Sequence, residues 1–173
     1  SAKELQESLR GIASSADTSN SSGLQRVLQN TTLALLRQPE LWAYINVENG
    51  KVPFNSAEAT FNRLSISERS KLTAELTTNV SGEIRTSKDS KTISGEADQA
   101  NEFIVVTIVI ASSAVLNLKN TETSEQLIET LRTIGSISAS ELIALEVIWQ
   151  PDGEGDVISS EQLVTTYPNL KHL

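Results

Sequence analysis

The sequence predicts a mixed α/β domain, or its α+β variant, with N-terminal helices packed on a small mixed sheet that contains a strand–helix–strand unit. Three observations carry that prediction. Apolar residues in the first part of the chain recur at helical spacing. Residues 103–111 form an unbroken run of β-formers. A helical stripe then separates that run from a second one at 142–149.

Each element has its own signal. Residues 3–17 place Leu5, Leu9, Ile12 and Ala16 along one side of a helix, and the polar stretch 17–22 ends it. A second helix sets Leu24, Val27, Leu28, Thr31 and Leu35 on one stripe and stops at Pro39, because the residue before proline is pushed out of the helical region. Asn49-Gly50 favours a tight primed turn, which predicts a short hairpin within 42–54 whose second arm Pro53 confines to an edge. Asn55 with Glu58 reads as a capping box, with Asn in place of the usual Ser or Thr. The helix it opens runs through Phe61 and Leu64, then resumes at Ser67 with Leu72, Leu76 and Val80 as its apolar face.

Residues 81–101 are polar and rich in Ser, Lys, Asp and Gly. They read as a flexible loop joining a helical part (about 1–80) to a sheet-bearing part (about 102–173) of one domain, residues 1–173. The run 103–111 is apolar on both faces, the mark of a central strand covered on both sides. Residues 114–118 read as a shorter strand. Thr123 with Gln126 signals the start of a helix over Leu127, Ile128, Leu131 and Ile134, with Gly135 as its C-cap. The strand at 142–149 puts Ile143, Leu145, Val147 and Trp149 on one face, and a last helix runs from Ser159 or Ser160 to Tyr167. If the two long strands are parallel neighbours, their crossover is right-handed.

Composition removes several functions. The chain has 173 residues, 22 acids against 14 Lys and Arg, and a net charge of -8, which opposes binding to phosphate backbones and anionic lipid surfaces. It has no cysteine, so disulfides, thiolate catalysis and cysteine-ligated metals are excluded. It has no methionine and starts at Ser1, so it reads as a processed product or a piece of a longer chain whose signal or anchor lies elsewhere. The apolar run 103–118 is interrupted by Thr107, Ser112, Ser113 and Asn117 and falls short of the ~18–20 apolar residues of a spanning helix.

No residue is nominated as catalytic, cofactor-binding or metal-ligating. The loop Asp152-Gly-Glu154-Gly-Asp156 resembles a calcium loop in composition, but an EF-hand register puts Val157 and Leu163 where Gly and a bidentate Glu are required, so it reads as a turn. His172 is the only histidine and sits on what reads as a frayed tail; it rules out two-histidine metal sites and leaves a Ser-His-Asp triad unsupported. No glycine-rich phosphate cradle follows either strand. Trp42, Tyr44 and Trp149 read as core aromatics before a ligand platform. The Asn-x-Ser/Thr triplets at Asn20, Asn30 and Asn79 are no more than a Ser/Thr-rich chain produces.

Residues 33–44 (LALLRQPELWAY), 54–65 (FNSAEATFNRLS), 103–112 (FIVVTIVIAS), 146–151 (EVIWQP) and 162–170 (QLVTTYPNL) resemble segments of a domain-of-unknown-function family of cyanobacteria and plastids. That family includes the chloroplast fluctuating-light acclimation protein. The resemblance spans nearly the whole chain, and its motifs are those of packing and capping. It implies a parent protein anchored in a thylakoid or plastid-type membrane and a link to photoprotective energy dissipation under changing light. It supplies no catalytic residue.

Two expectations follow. The first is a non-enzymatic regulatory or assembly module that binds a membrane protein or complex, without nucleic acid or cofactor, and is tethered through a segment outside this chain. It requires an exposed apolar or aromatic patch of about a few hundred Å². The second is a hydrolase or small-ligand-binding domain using surface carboxylates, which requires two or three acids converging in a pocket with a raised pKa.

Overall fold

The computed structural model describes residues 1–79 and 102–173, with side chains for 1–72 and 102–173. The predicted loop 81–101 and the side chains of Leu76 and Val80 lie outside them. Along the chain come α1 (Ala2–Ser15), α2 (Ser21–Leu36), a 3₁₀ turn (Pro39–Leu41), β1 (Tyr44–Ile45), α3 (Phe54–Asn79), β2 (Glu102–Phe103) and β3 (Val105–Ser112). Then follow α4 (Ser124–Gly135), β4 (Leu142–Gln150), β5 (Ile158–Ser159), α5 (Ser160–Thr166) and β6 (Lys171–His172). The class is the predicted one, helices on small sheets.

Local chemistry sets where the helices start. In α1, α4 and α5 the first free N–H groups are met by reciprocal capping boxes: Ser1 with Glu4, Thr123 with Gln126, and Ser159 with Gln162. Asn20 caps α2 by accepting from the Gly23 N–H at 2.8 Å. α3 departs from prediction. It begins one residue earlier, at Phe54, so Asn55 lies inside the first turn, and it runs without a break past Ser65 and Ser67.

β3 and β4 pair antiparallel, with Val106 opposite Trp149, Ile108 opposite Val147 and Ile110 opposite Leu145. That face of the ribbon is covered by α4 and α2: Leu127, Leu131 and Ile134 meet Leu28 and Leu142, and Ile108, Ile110 and Leu145 pack against them. α3 covers the opposite face, where Val109 and Ile148 are buried. Polar ties fix it there. Arg69 pairs with Glu146, and Gln150 Nε2 donates to the Arg69 carbonyl at 2.9 Å. At the ribbon's end, Ile158, Leu163 and Tyr167 form a second cluster with Tyr44, Phe103 and Leu170.

Five expectations are corrected. β3 is covered on both faces, as its sequence requires, but it is not central; among the described residues only β4 pairs with it. A two-stranded ribbon between helices produces the same apolar pattern as an interior strand. The long strands are antiparallel, so no parallel crossover arises. Ser112 faces Leu142, which brings the two ends of the connection together, and residues 113–123 cancel the travel of α4 without forming the expected strand at 114–118. The hairpin at 42–54 is absent. Tyr44 and Ile45 pair instead with His172 and Lys171, and the Asn49 amide donates to the Leu118 carbonyl. Gly135 is the last helical residue of α4 and Ser136 is the cap; glycine is needed there because α2 passes so close.

The α1–α2 turn is held by Asp17, which accepts from Ser19 and from Asn20 Nδ2. The hydrogen bond from the Ser19 hydroxyl, then that from its backbone N–H, holds the Asp17 carboxyl below its ordinary value of 3.8. A depressed carboxyl stabilises the fold above its unfolded pKa and loses that contribution as pH falls through its folded pKa. The stability gap between the wild type and Asp17→Asn is therefore expected to close as pH drops below 3.8, in urea titrations run at several pH values. A gap independent of pH would show that the carboxylate charge is irrelevant to the turn.

Candidate functional site

A groove of about 1810 Å³ runs along β3. Consecutive residues of both parities line it, Val105, Val106, Thr107 and Ile108, and after Val109 the lining resumes at Ile110, whereas β4 contributes Ile143 alone. Side chains alternate across a strand, so only a strand seen from its edge lines a cavity in this way. The groove therefore opens onto the edge of β3 that no strand among the described residues occupies.

Three segments supply most of its walls, and α1, α4 and residues within 163–170 add to the lining. α3 contributes Phe54, Ala57, Phe61 and Leu64, spaced so that they share one helical face. Trp42, Tyr44 and Ile45 come from the stretch after the 3₁₀ turn, and Leu116 and Leu118 from the connection after β3. At one end, Tyr44 stands edge-on to Phe103 (5.7 Å between ring centres) and to His172 (5.1 Å). Lys71 sits 5.1 Å above the Tyr167 ring, and the Tyr167 hydroxyl bonds to Gln150.

The lining is apolar and electrically balanced. Lys3, Lys51, Lys71 and Lys119 are matched by Glu40, Glu48, Glu68 and Glu102, in a chain whose net charge is -8. Phe54 at the rim is 86% exposed, with Val52, Leu64 and Leu41 also open to solvent. Exposed apolar residues that gather into a contiguous patch mark interaction surfaces.

The acids do not assemble into a site. Among the described residues no three His, Cys, Asp or Glu side chains lie close enough to share a metal ion. Among the described residues, the two carboxyls with a clear shift, Asp17 and Glu122, are both lowered, Glu122 first by the hydrogen bond from Lys171. The loop at 152–156 is a turn whose Gly155 takes φ 75°. Gln6 of α1 clamps it by donating to the Pro151 and Asp156 carbonyls, at 3.3 and 2.9 Å. His172 is not frayed, since β6 pairs it with Tyr44. Trp42 packs against the first core cluster and Tyr44 against the second, and both also line the groove.

Sequence reasoning missed Phe54, Val52 and Val115 as surface residues, and placed Phe61 and Leu64 on a helix without assigning them a role. The available signal was the apolar stripe of α3, in which Phe54, Ala57, Phe61, Leu64 and Leu72 recur on one side while Ile66 lies well off it.

No helix among the described residues is long and apolar enough to cross a membrane. The chain is 43% identical over 176 residues to Protein FLAP1 homolog A of Synechocystis sp. (strain ATCC 27184 / PCC 6803 / Kazusa), and 38% identical over 173 residues to FLUCTUATING-LIGHT-ACCLIMATION protein 1, chloroplastic, of Arabidopsis thaliana. Each match takes in 99% of this chain and 53% or 43% of the relative, so the chain spans about half the length of the curated relatives it matches. No solved structure matches. Residues 1–173 match the family described as Protein of unknown function (DUF1517), and the chain belongs to that family.

Proposed function

We propose that this chain is a non-enzymatic regulatory or assembly module that binds a membrane protein or complex through the β3 groove and acts in light acclimation and photoprotection. The observation that carries the binding role is the groove itself: an apolar, charge-balanced channel with an exposed phenylalanine at its rim, in an otherwise acidic surface. The light-acclimation setting rests on the name of the Arabidopsis relative. The parent protein is proposed to be anchored in a thylakoid or equivalent membrane, with this domain presented beside it. The carboxylate-based alternative has less support, because its acids are scattered and its shifted carboxyls are lowered.

Affinity capture from detergent-solubilised photosynthetic membranes, with brief crosslinking, tests the reading. The wild-type domain is expected to retain one membrane complex that Phe54→Asp and Leu64→Asp lose. Both positions are exposed (86% and 41%), so the variants should stay within about 0.5 kcal/mol of wild-type stability. Equal recovery with folded variants would remove the groove from the function.

A further inference from the structure

We propose that the free edge of β3 accepts one extended peptide strand of a partner protein, uncharged and apolar on both faces, as a third strand of the ribbon. The inference rests on the protein-binding reading above and specifies its mode. Among the described residues, backbone hydrogen bonds to Val105–Ser112 come from β4 alone. Alternate residues of an edge strand turn their N–H and C=O groups outward, and here those groups open onto the groove. A peptide lying about 4.8 Å from β3 would satisfy them, which is strand addition to a sheet edge.

The walls define the peptide. One set of its alternating side chains would meet Phe54, Ala57, Phe61 and Leu64 of α3; the other would meet Trp42, Leu116 and Leu118. The side chains named on both walls are apolar, with charged groups elsewhere in the lining, so the usual apolar–polar alternation does not fit them. A run of consecutive aliphatic or aromatic residues does. The balanced lining favours a segment without strong charge of either sign.

A second copy of this chain is a poor occupant. β3 lies on the floor between α3 and the connection after β3, and two recessed edges cannot approach to about 4.8 Å without their walls colliding. Each copy also carries -8.

The test uses the 173-residue chain and a capped, neutral peptide with the VVTIVI sequence of residues 105–110 between Lys-Glu pairs. A twin peptide, N-methylated on the amides of both edges, keeps every side chain and loses its main-chain donors. Hydrogen exchange should show the outward amides of β3 exchanging rapidly in the free chain and at least about tenfold more slowly with the first peptide. The twin should bind at least about tenfold more weakly by calorimetry, the effect of losing a few net hydrogen bonds. Equal binding of the twin overturns strand addition and leaves the groove as an apolar contact surface. Outward amides already protected in the free chain, or dimerisation through β3 seen by sedimentation, overturn it as well. If neither peptide binds while Phe54→Asp still loses its membrane partner, the strand mode falls and the protein-binding reading stands.

Discussion

Leu28→Ala is expected to lower the unfolding free energy by about 2–5 kcal/mol. Leu28 is fully buried where α2 meets α4 and the β3–β4 ribbon, packed among Leu127, Leu131, Ile134 and Leu142. Removing its isopropyl group takes away the transfer free energy of those carbons and leaves a cavity that helices on two sides cannot easily close. Typical domains are stable by about 5–15 kcal/mol, so the variant should melt at a visibly lower temperature. Urea denaturation followed by far-UV circular dichroism measures the loss directly. Leu33→Ala is the control, because Leu33 belongs to the same helix but is 42% exposed. Equal costs at both positions would mean that α2 does not carry the contact between the helical part and the ribbon.

Gly135→Ala should cost about 1–3 kcal/mol, although replacing glycine with alanine inside a helix ordinarily gains about 0.5–1 kcal/mol. The reversal comes from one contact. A Cβ on Gly135 would lie 2.6 Å from Thr32 Oγ1, closer than atoms tolerate, and a tight 3.3 Å from Thr32 Cβ. Thr32 is itself buried, with its hydroxyl bonded to the Gln29 carbonyl at 2.9 Å, so it has no room to swing away. The double variant Gly135→Ala/Thr32→Ala removes the hydroxyl and should recover most of the loss. That non-additivity is the signature of two groups in direct contact. Additive costs would place the effect elsewhere, in the end of α4.

These two residues also show how far the sequence could be read. Leu28 was legible as part of a helical stripe, because a period of 3.6 residues is a local property of the chain. Thr123 with Gln126 announced α4 for the same reason, since capping acts within one turn. Gly135 was visible only as a helix stop; what it allows, the approach of Thr32, depends on a residue far away in sequence. The β3 edge failed in the same way. Its composition showed that both faces are covered, but the number of strands beside it is a property of the whole sheet. Tyr44 and Ile45 pair with the last strand, across nearly the entire chain, and the local Asn49-Gly50 turn signal lost to that pairing. The groove was illegible because it draws on segments from α1 to the stretch after α5, chiefly residues within 42–52, 54–71 and 102–119, and no single segment announces a cavity.

The chain has only two tryptophans. Trp149 lies on the ribbon with its indole N–H shielded from solvent, while Trp42 lines the groove and remains partly accessible. Nature has thereby placed an optical reporter inside the channel. In a Trp149→Phe background all indole emission comes from Trp42, and any occupant that displaces water from its ring shifts that emission to the blue. Binding at the β3 edge can then be followed in solution without attaching a label.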